Sequence, residues 1–293
     1  MSRTSIAILG ANGQLGSDLV KVFGEEATPL THRDLDVTDP ESLRLLKELK
    51  PEVVINTAAY VRVDDAEVEV EEASRVNALG ALHVAKVCNE IGAINVYIST
   101  DYVFDGVKES SYEEDDVPNP INVYGLSKYT GEIFTRNYAT RHYVLRVAGL
   151  YGAAGARGKG GNFVDAMLQR AQRGEDISVV EDMFTSTTYT RDVAELLKKF
   201  LAVKPEYGLY HMVNEGYCSW YGFTKEIFAI LGWEVEVKPI KSSDLARLAR
   251  RPLFSALKST KLGNYGLRMR TWQDALKAYL TEGAYLSTDH EGI

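Results

Sequence analysis

Gly10, Gly13 and Gly16 stand three residues apart, between the apolar run SIAIL (5–9) and a stretch where Leu15, Leu19, Val20 and Phe23 recur at helical spacing. A short run that is mostly apolar reads as a strand buried on both faces of a parallel sheet. The glycines then mark a tight turn that lets backbone approach whatever lies above it. The helix opening there aims its first amides and the positive end of its dipole at an anion, and a pyrophosphate suits that place. A strand–helix turn that merely needs glycine is the bland reading of the same residues.

The pattern repeats. Strands are expected at about 27–31, at VVIN (53–56), at 95–99 and at 143–147. Helices are expected over 14–23, over 40–49 with Asp39 as N-cap and Pro40 in first position, over 71–91 and over 122–138. This alternation predicts an α/β chain with a doubly wound parallel sheet and right-handed crossovers. From about 149 the order loosens. GLYGAAGARGKGGN (149–162) reads as a mobile loop whose GKGGN part (158–162) closes on substrate. Helices follow at 162–173, 190–202, 220–231, 243–249 and 271–280, with strands near 177–180 and 208–213. The expected division is a nucleotide-binding domain over 1–148 and a smaller, mainly substrate-binding lobe over 149–293, some of whose segments return to the sheet.

With 293 residues the chain can bury a large core. A net charge of −8 excludes bulk electrostatic binding of nucleic acid or an anionic membrane. Cys88 and Cys218 lack the number and spacing of a disulfide framework, and the five histidines show no metal-ligand spacing. The N-terminus runs directly into the first strand without a signal-peptide core, so cytoplasm is the expected location.

Tyr124 and Lys128 fall four apart in a helical stretch, hence on one helix face. A nearby ammonium would lower the phenol pKa from about 10, making the pair an acid/base for carbonyl–alcohol interconversion. A solvated helix pair is the common alternative. No carboxylate ends the second strand, where Thr31-His32-Arg33 stand instead. Arg33 could therefore meet a 2′-phosphate, favouring NADPH over NADH, while Asp36 and Val37 could cover the adenine edge.

The glycine loop, VVINTAAYVRVDDAE, ISTDYVFDG, VYGLSKYTGE and LRVAGLYG occur in this order. On these blocks the chain resembles the extended short-chain dehydrogenase/reductases, most closely the dTDP-4-dehydrorhamnose reductase branch, nearly end to end. The resemblance implies a Rossmann-type fold and reduction of the C4 ketone of dTDP-4-dehydro-L-rhamnose, a nucleotide sugar, by NADPH, with NADH the other cofactor it allows. It implies Thr100, Tyr124 and Lys128 as the catalytic trio. Tyr124 would protonate the C4 oxygen, Thr100 would hydrogen-bond it, and Lys128 would bind the nicotinamide ribose. Asn12, Gln14 and Leu15 in the glycine loop, with Ala58, Ala59, Tyr60 and Ser99, would line the cofactor. Tyr102, Phe104, Asn162 and Arg251 would meet the substrate, against the bland readings of Asn162 as an N-cap and Arg251 as a surface ion pair. The resemblance also allows a homodimer.

Three departures stand out. Gly149 replaces a frequent tryptophan that walls the sugar site. Phe184–Thr188 replaces Gly-x-Pro-Thr, which should loosen a turn. No acidic Mg²⁺ cluster can be mapped. Dehydratases carry Asp-Glu after the threonine, whereas Asp101-Tyr102 follow Thr100 here; epimerases commonly carry the missing acidic residue after the second strand. A reductase of another nucleotide-linked 4-keto sugar remains as an alternative. So does a non-catalytic NADP-binding regulatory subunit, since Tyr124 and Lys128 also bind cofactor.

Overall fold

The computed structural model describes residues 5–155 and 161–283. Its first half is β1 (Ile6–Leu9), α1 (Gln14–Phe23), β2 (Ala27–Leu30), α2 (Arg44–Leu49), β3 (Val53–Asn56), α3 (Val63–Ala66), α4 (Val70–Ser74), α5 (Gly80–Ile91), β4 (Ile94–Thr100), α6 (Val123–Tyr138) and β5 (His142–Val147). The second half adds β6 (Leu150–Tyr151), α7 (Phe163–Gln172), β7 (Ile177–Val180), β8 (Phe184–Thr185), β9 (Thr188–Tyr189), α8 (Thr190–Val203), β10 (Gly208–His211), β11 (Cys218–Ser219), α9 (Trp220–Leu231), β12 (Val237–Ile240) and α10 (Trp272–Glu282).

Six strands form one parallel sheet in the order β10-β5-β4-β3-β1-β2, a Rossmann-type doubly wound arrangement. Successive residues of the buried strands face opposite sides. Ile6, Ile8, Val53 and Ile55 pack with α1 and α8, while Ala7, Leu9 and Val54 pack with α2 and α5. From β1 the chain crosses first to β2 on one side and later to β3 on the other. Leu9 lies level with Leu30 and with Asn56, so this switch point opens a crevice at the strand ends. A second core gathers Tyr151, Val164, Met167, Phe223, Ile227, Trp272 and Leu276 around α7, α9 and α10.

Two expected helices are corrected. The helix expected at 40–49 begins only at Arg44. Asp39 Oδ1 does accept from Glu41 N (3.0 Å), but residues 41–46 make three-residue turns and Ser42 Oγ is drawn to Asp36 N (2.9 Å). The helix expected at 243–249 is a single 3₁₀ turn, Ser242–Asp244. Beyond it distant side chains hold the backbone: Ala249 N donates to Asp64 Oδ1 and Arg250 O accepts from Asn122, while Ala249 O accepts from nearby Arg251. The stretch expected to be helical over 71–91 runs on from Val70 but carries a π-turn at Arg75–Leu79. That turn brings in buried Asn77, which accepts from Tyr60 N and donates to Tyr60 O and Ser127 Oγ.

His211, at the end of β10, is fully buried and its Nε2 lacks a hydrogen-bond partner. Burial pushes its pKa from 6.5 down to about 4, with Arg146 acting the same way and Glu114 opposing. The folded value lies below the unfolded one, so the unfolded chain takes the proton first. The stabilising preference for neutral His211 is therefore complete above about pH 6.5, declines as pH falls, and is gone near pH 4. A melting-temperature series should drop across that window, and His211→Gln should flatten it. An unchanged slope would remove His211 as the cause.

Candidate active site

A cavity of about 690 Å³ lies above the strand ends and is lined from both halves of the chain. One wall is the glycine loop with Asn12, Gln14 and Leu15. Gly10 takes φ +74, and a Cβ on Gly16 would stand 2.2 Å from Gly10 O, so α1 can seat on the turn only without side chains there. No side chain caps α1. Asp36, Val37 and Thr38 form a second wall with His32 and Arg75; Ala58, Ala59 and Tyr60 follow β3.

Thr100 ends β4, and Tyr124 and Lys128 stand on α6, whose N-cap Asn122 accepts from Gly125 N (2.7 Å). All three line the cavity. Thr100 Oγ1 donates to Asp101 Oδ1 (3.1 Å), and the Tyr124 ring meets Tyr102 edge-on at 5.9 Å. Lys128 is nearly buried. Its Nζ donates to Ile98 O (2.6 Å) and sits 4.2 Å over the Tyr97 ring. Burial pushes Lys128 down to about 7, opposed by Glu132. Burial raises Tyr124, with the Thr100 hydroxyl pulling the other way. This corrects the expectation that lysine lowers the tyrosine: the ammonium is spent on a carbonyl and a neutral ring. Burial also raises Asp101 to about 6, although Ser255, Thr100 and Thr185 hydrogen-bond it.

Several expected residues fall elsewhere. Arg33 is exposed and off the cavity wall; Arg75 takes the wall instead, its Nη1 2.6 Å from Thr38 Oγ1. Phe104 is fully buried, stacked on Tyr112 at 4.1 Å, and belongs to the core. Arg251 does not line the cavity; its fork holds both oxygens of Asp64 at 2.5 and 2.6 Å. Ser99 lines it, but its hydroxyl is committed to Glu132 (2.6 Å). Asn162 lines it while capping α7 and donating to Gly152 O. Residues 156–160 lie outside the described residues, so the closing loop expected at 158–162 is described only at Gly161 and Asn162.

The sequence reading missed Arg75, Asp101 and a far wall of Met183, Phe184 and Trp220. Asp101 could have been found beside Thr100, whereas the far wall comes from distant segments with no shared motif. Gly149 takes φ +50, and a Cβ there would stand 3.1 Å from Thr187 Cα, so this part of the wall is bare backbone. The turn expected to be loose at 184–188 is pinned: buried Ser186 Oγ donates to Gly216 O (3.0 Å) and Leu257 O (3.1 Å). Among the described residues no group of three His, Cys, Asp or Glu is placed to hold a metal, and no helix is long and apolar enough to cross a membrane.

The chain matches the RmlD substrate binding domain family over residues 4–285. It is 36% identical to the spore coat polysaccharide biosynthesis protein SpsK of Bacillus subtilis, covering 95% of this chain and 98% of that one. It is 35% identical to the dTDP-4-dehydrorhamnose reductase of Aggregatibacter actinomycetemcomitans, over 93% and 97%. The crystal structure of dTDP-4-dehydrorhamnose reductase from Bacillus anthracis, in complex with NADP, superposes with a TM-score of 0.91 at 37% identity, covering 96% of this chain and all of that one. With a cavity joining a glycine loop to Thr100, Tyr124 and Lys128, and likeness along nearly its whole length, the chain belongs to the RmlD substrate binding domain family.

Proposed function

We propose that this protein reduces the C4 ketone of dTDP-4-dehydro-L-rhamnose to dTDP-L-rhamnose with NADPH. The carrying observation is that one continuous cavity runs from the glycine loop to Thr100, Tyr124 and Lys128. The residues fit a dinucleotide. Gly10 and Gly16 leave no room for a Cβ, α1 begins without a side-chain cap, and Gln14 Oε1 is buried without a partner. When bound, NADPH supplies the hydride that reaches the carbonyl carbon.

The chain supplies the rest. Tyr124 Oη gives its proton to the C4 oxygen, and Thr100 Oγ1 hydrogen-bonds the same oxygen. Lys128, when cationic, holds the nicotinamide ribose. Tyr102 and Asn162 face the sugar nucleotide, with Met183, Phe184 and Trp220 as its far wall. In this reading residues 1–148 bind the cofactor and 149–293 mainly the substrate. The working assembly is a homodimer and the working place the cytoplasm.

Arg75 stands on the adenosine wall where Arg33 does not; its Nε and Nη2 are held by Glu72 at 2.9 Å, and in this reading a 2′-phosphate takes over that guanidinium. Arg75→Ala should weaken NADPH binding about tenfold and NADH binding little, while Arg33→Ala changes neither. Equal losses for both cofactors in Arg75→Ala would refute this, and titration by cofactor fluorescence decides it.

One observation favours a second reading. The bare backbone at Gly149 suits another nucleotide-linked 4-keto sugar with more bulk on that side. The test is NADPH oxidation, followed by absorbance, with dTDP-4-dehydro-L-rhamnose made in situ. Rapid enzyme-dependent oxidation yielding dTDP-L-rhamnose supports the first reading. Tight NADPH binding without oxidation rejects it in favour of another keto sugar or a non-catalytic subunit.

A further inference from the structure

Tyr124, Lys128 and Glu132 succeed one another at intervals of four on α6, so one helix face descends from the cavity into the core. Glu132, at the bottom, is fully buried (0% exposed). Its Oε1 accepts from Ser99 Oγ (2.6 Å) and Arg146 Nε (2.8 Å), and its Oε2 from Arg146 Nη2 (2.8 Å). The carboxylate is therefore ion-paired with Arg146, fixed at both oxygens and one helical turn from Lys128. We infer that Glu132 is a positioning residue for the reaction, the buried anion one helical turn from Lys128 that favours its cationic form. This inference rests on the role given to Lys128 above.

The surroundings of Lys128 leave this task to few groups. Its Nζ touches the Ile98 carbonyl and the Tyr97 ring, both uncharged. Its own helix presents Tyr124 and Glu132. From β4 come Tyr97 and Ser99, from the 3₁₀ turn after it Asp101, from β5 Arg146, and from the π-turn Asn77. Asp101 is the other carboxylate here, and its oxygens are taken by Thr100, Thr185 and Ser255. Burial drives the ammonium toward its neutral form, and Glu132 is the charge that opposes it. Arg146 makes a buried carboxylate tolerable at that depth, and Ser99 fixes where it points. A glutamine could still accept from Ser99 Oγ and Arg146 Nε at its one oxygen, but its amide nitrogen cannot accept from Arg146 Nη2 and it has no charge to oppose the desolvation.

A purely structural Glu132–Arg146 pair would tie α6 to β5 without touching the proton affinity of Lys128. The pH dependence of NADPH binding separates the two roles and needs no sugar. NADPH affinity of the full chain is measured by fluorescence from about pH 5.5 to 9.5, a range bracketing the Lys128 value near 7. The wild type should lose affinity as pH rises through that value, and Lys128→Met should abolish the limb, which identifies it. Glu132→Gln removes the anion, so the lysine gives up its proton sooner and the limb should move about one pH unit lower. Should Glu132→Gln fail to fold around an unpaired Arg146, Glu132→Gln with Arg146→Met removes both charges; loss of the Arg146 cation offsets part of the effect, so a smaller shift in the same direction is expected. A limb left at the wild-type pH in a folded variant overturns the inference and spares the role of Lys128. A wild-type limb that survives Lys128→Met overturns the role of Lys128, and this inference with it.

Discussion

Tyr124→Phe should lower kcat about a thousandfold while NADPH affinity stays within about twofold. Phenylalanine keeps the ring that meets Tyr102 edge-on, so the surrounding packing is preserved and only the hydroxyl is lost. Burial raises the Tyr124 pKa, so the hydroxyl enters the reaction protonated, as a proton donor in the reducing direction must. The Thr100 hydroxyl alone cannot deliver a proton and recover it from solvent at the same rate. Single-turnover oxidation of bound NADPH isolates the chemical step, and fluorescence titration gives the affinity. Turnover within tenfold of wild type would remove Tyr124 from the proton-donor role.

Gly125→Ala has the second large effect, and propensity alone predicts the opposite sign. In a helix interior alanine gains about 1 kcal/mol over glycine. Here, however, a Cβ would stand 2.1 Å from Tyr102 O, which is backbone and cannot swing aside. Either α6 or the 3₁₀ turn after β4 must move, at an overpacking cost of about 1–3 kcal/mol. A net loss of up to ~2 kcal/mol lowers the melting temperature by up to roughly 5 °C. The same displacement separates Tyr124, beside Gly125, from Thr100 at the end of β4, so kcat should fall at least tenfold. Gly263→Ala, where a Cβ meets nothing within 4 Å, is the control and should leave both quantities unchanged. A Gly125→Ala protein as stable and active as that control would refute the coupling.

Local pattern carried most of the sheet. SIAIL and VVIN are mostly apolar runs, and 143–147 is one interrupted by Arg146, whose burial requires Glu132; the strands appear there as Ile6–Leu9, Val53–Asn56 and His142–Val147. It failed where a distant residue decides. Residues 245–251 have helical composition, but Asp64 and Asn122 take their backbone groups. Arg33 and Arg75 are equally basic in sequence, and only the π-turn beginning at Arg75 brings that side chain against Thr38. Phe104 follows the threonine motif as a cavity residue would, but Tyr112 stacks on it and draws it inward. Tyr124 and Lys128 were legible from spacing, their electrostatics were not, because desolvation depends on which elements cover them.

The strand order bears on how such a chain is made. A ribosome that has released residues up to Val147 has provided five of the six strands. One apolar face of that sheet still lacks α8, Tyr210 and Met212 around β10, and Leu262, Leu267 and Met269. Those cover residues lie between Val193 and Met269, so the chain up to Val147 cannot bury this face by itself. Until they emerge β5 is an open sheet edge beside bare Leu145 and Val147, a surface for chaperones or for other nascent chains.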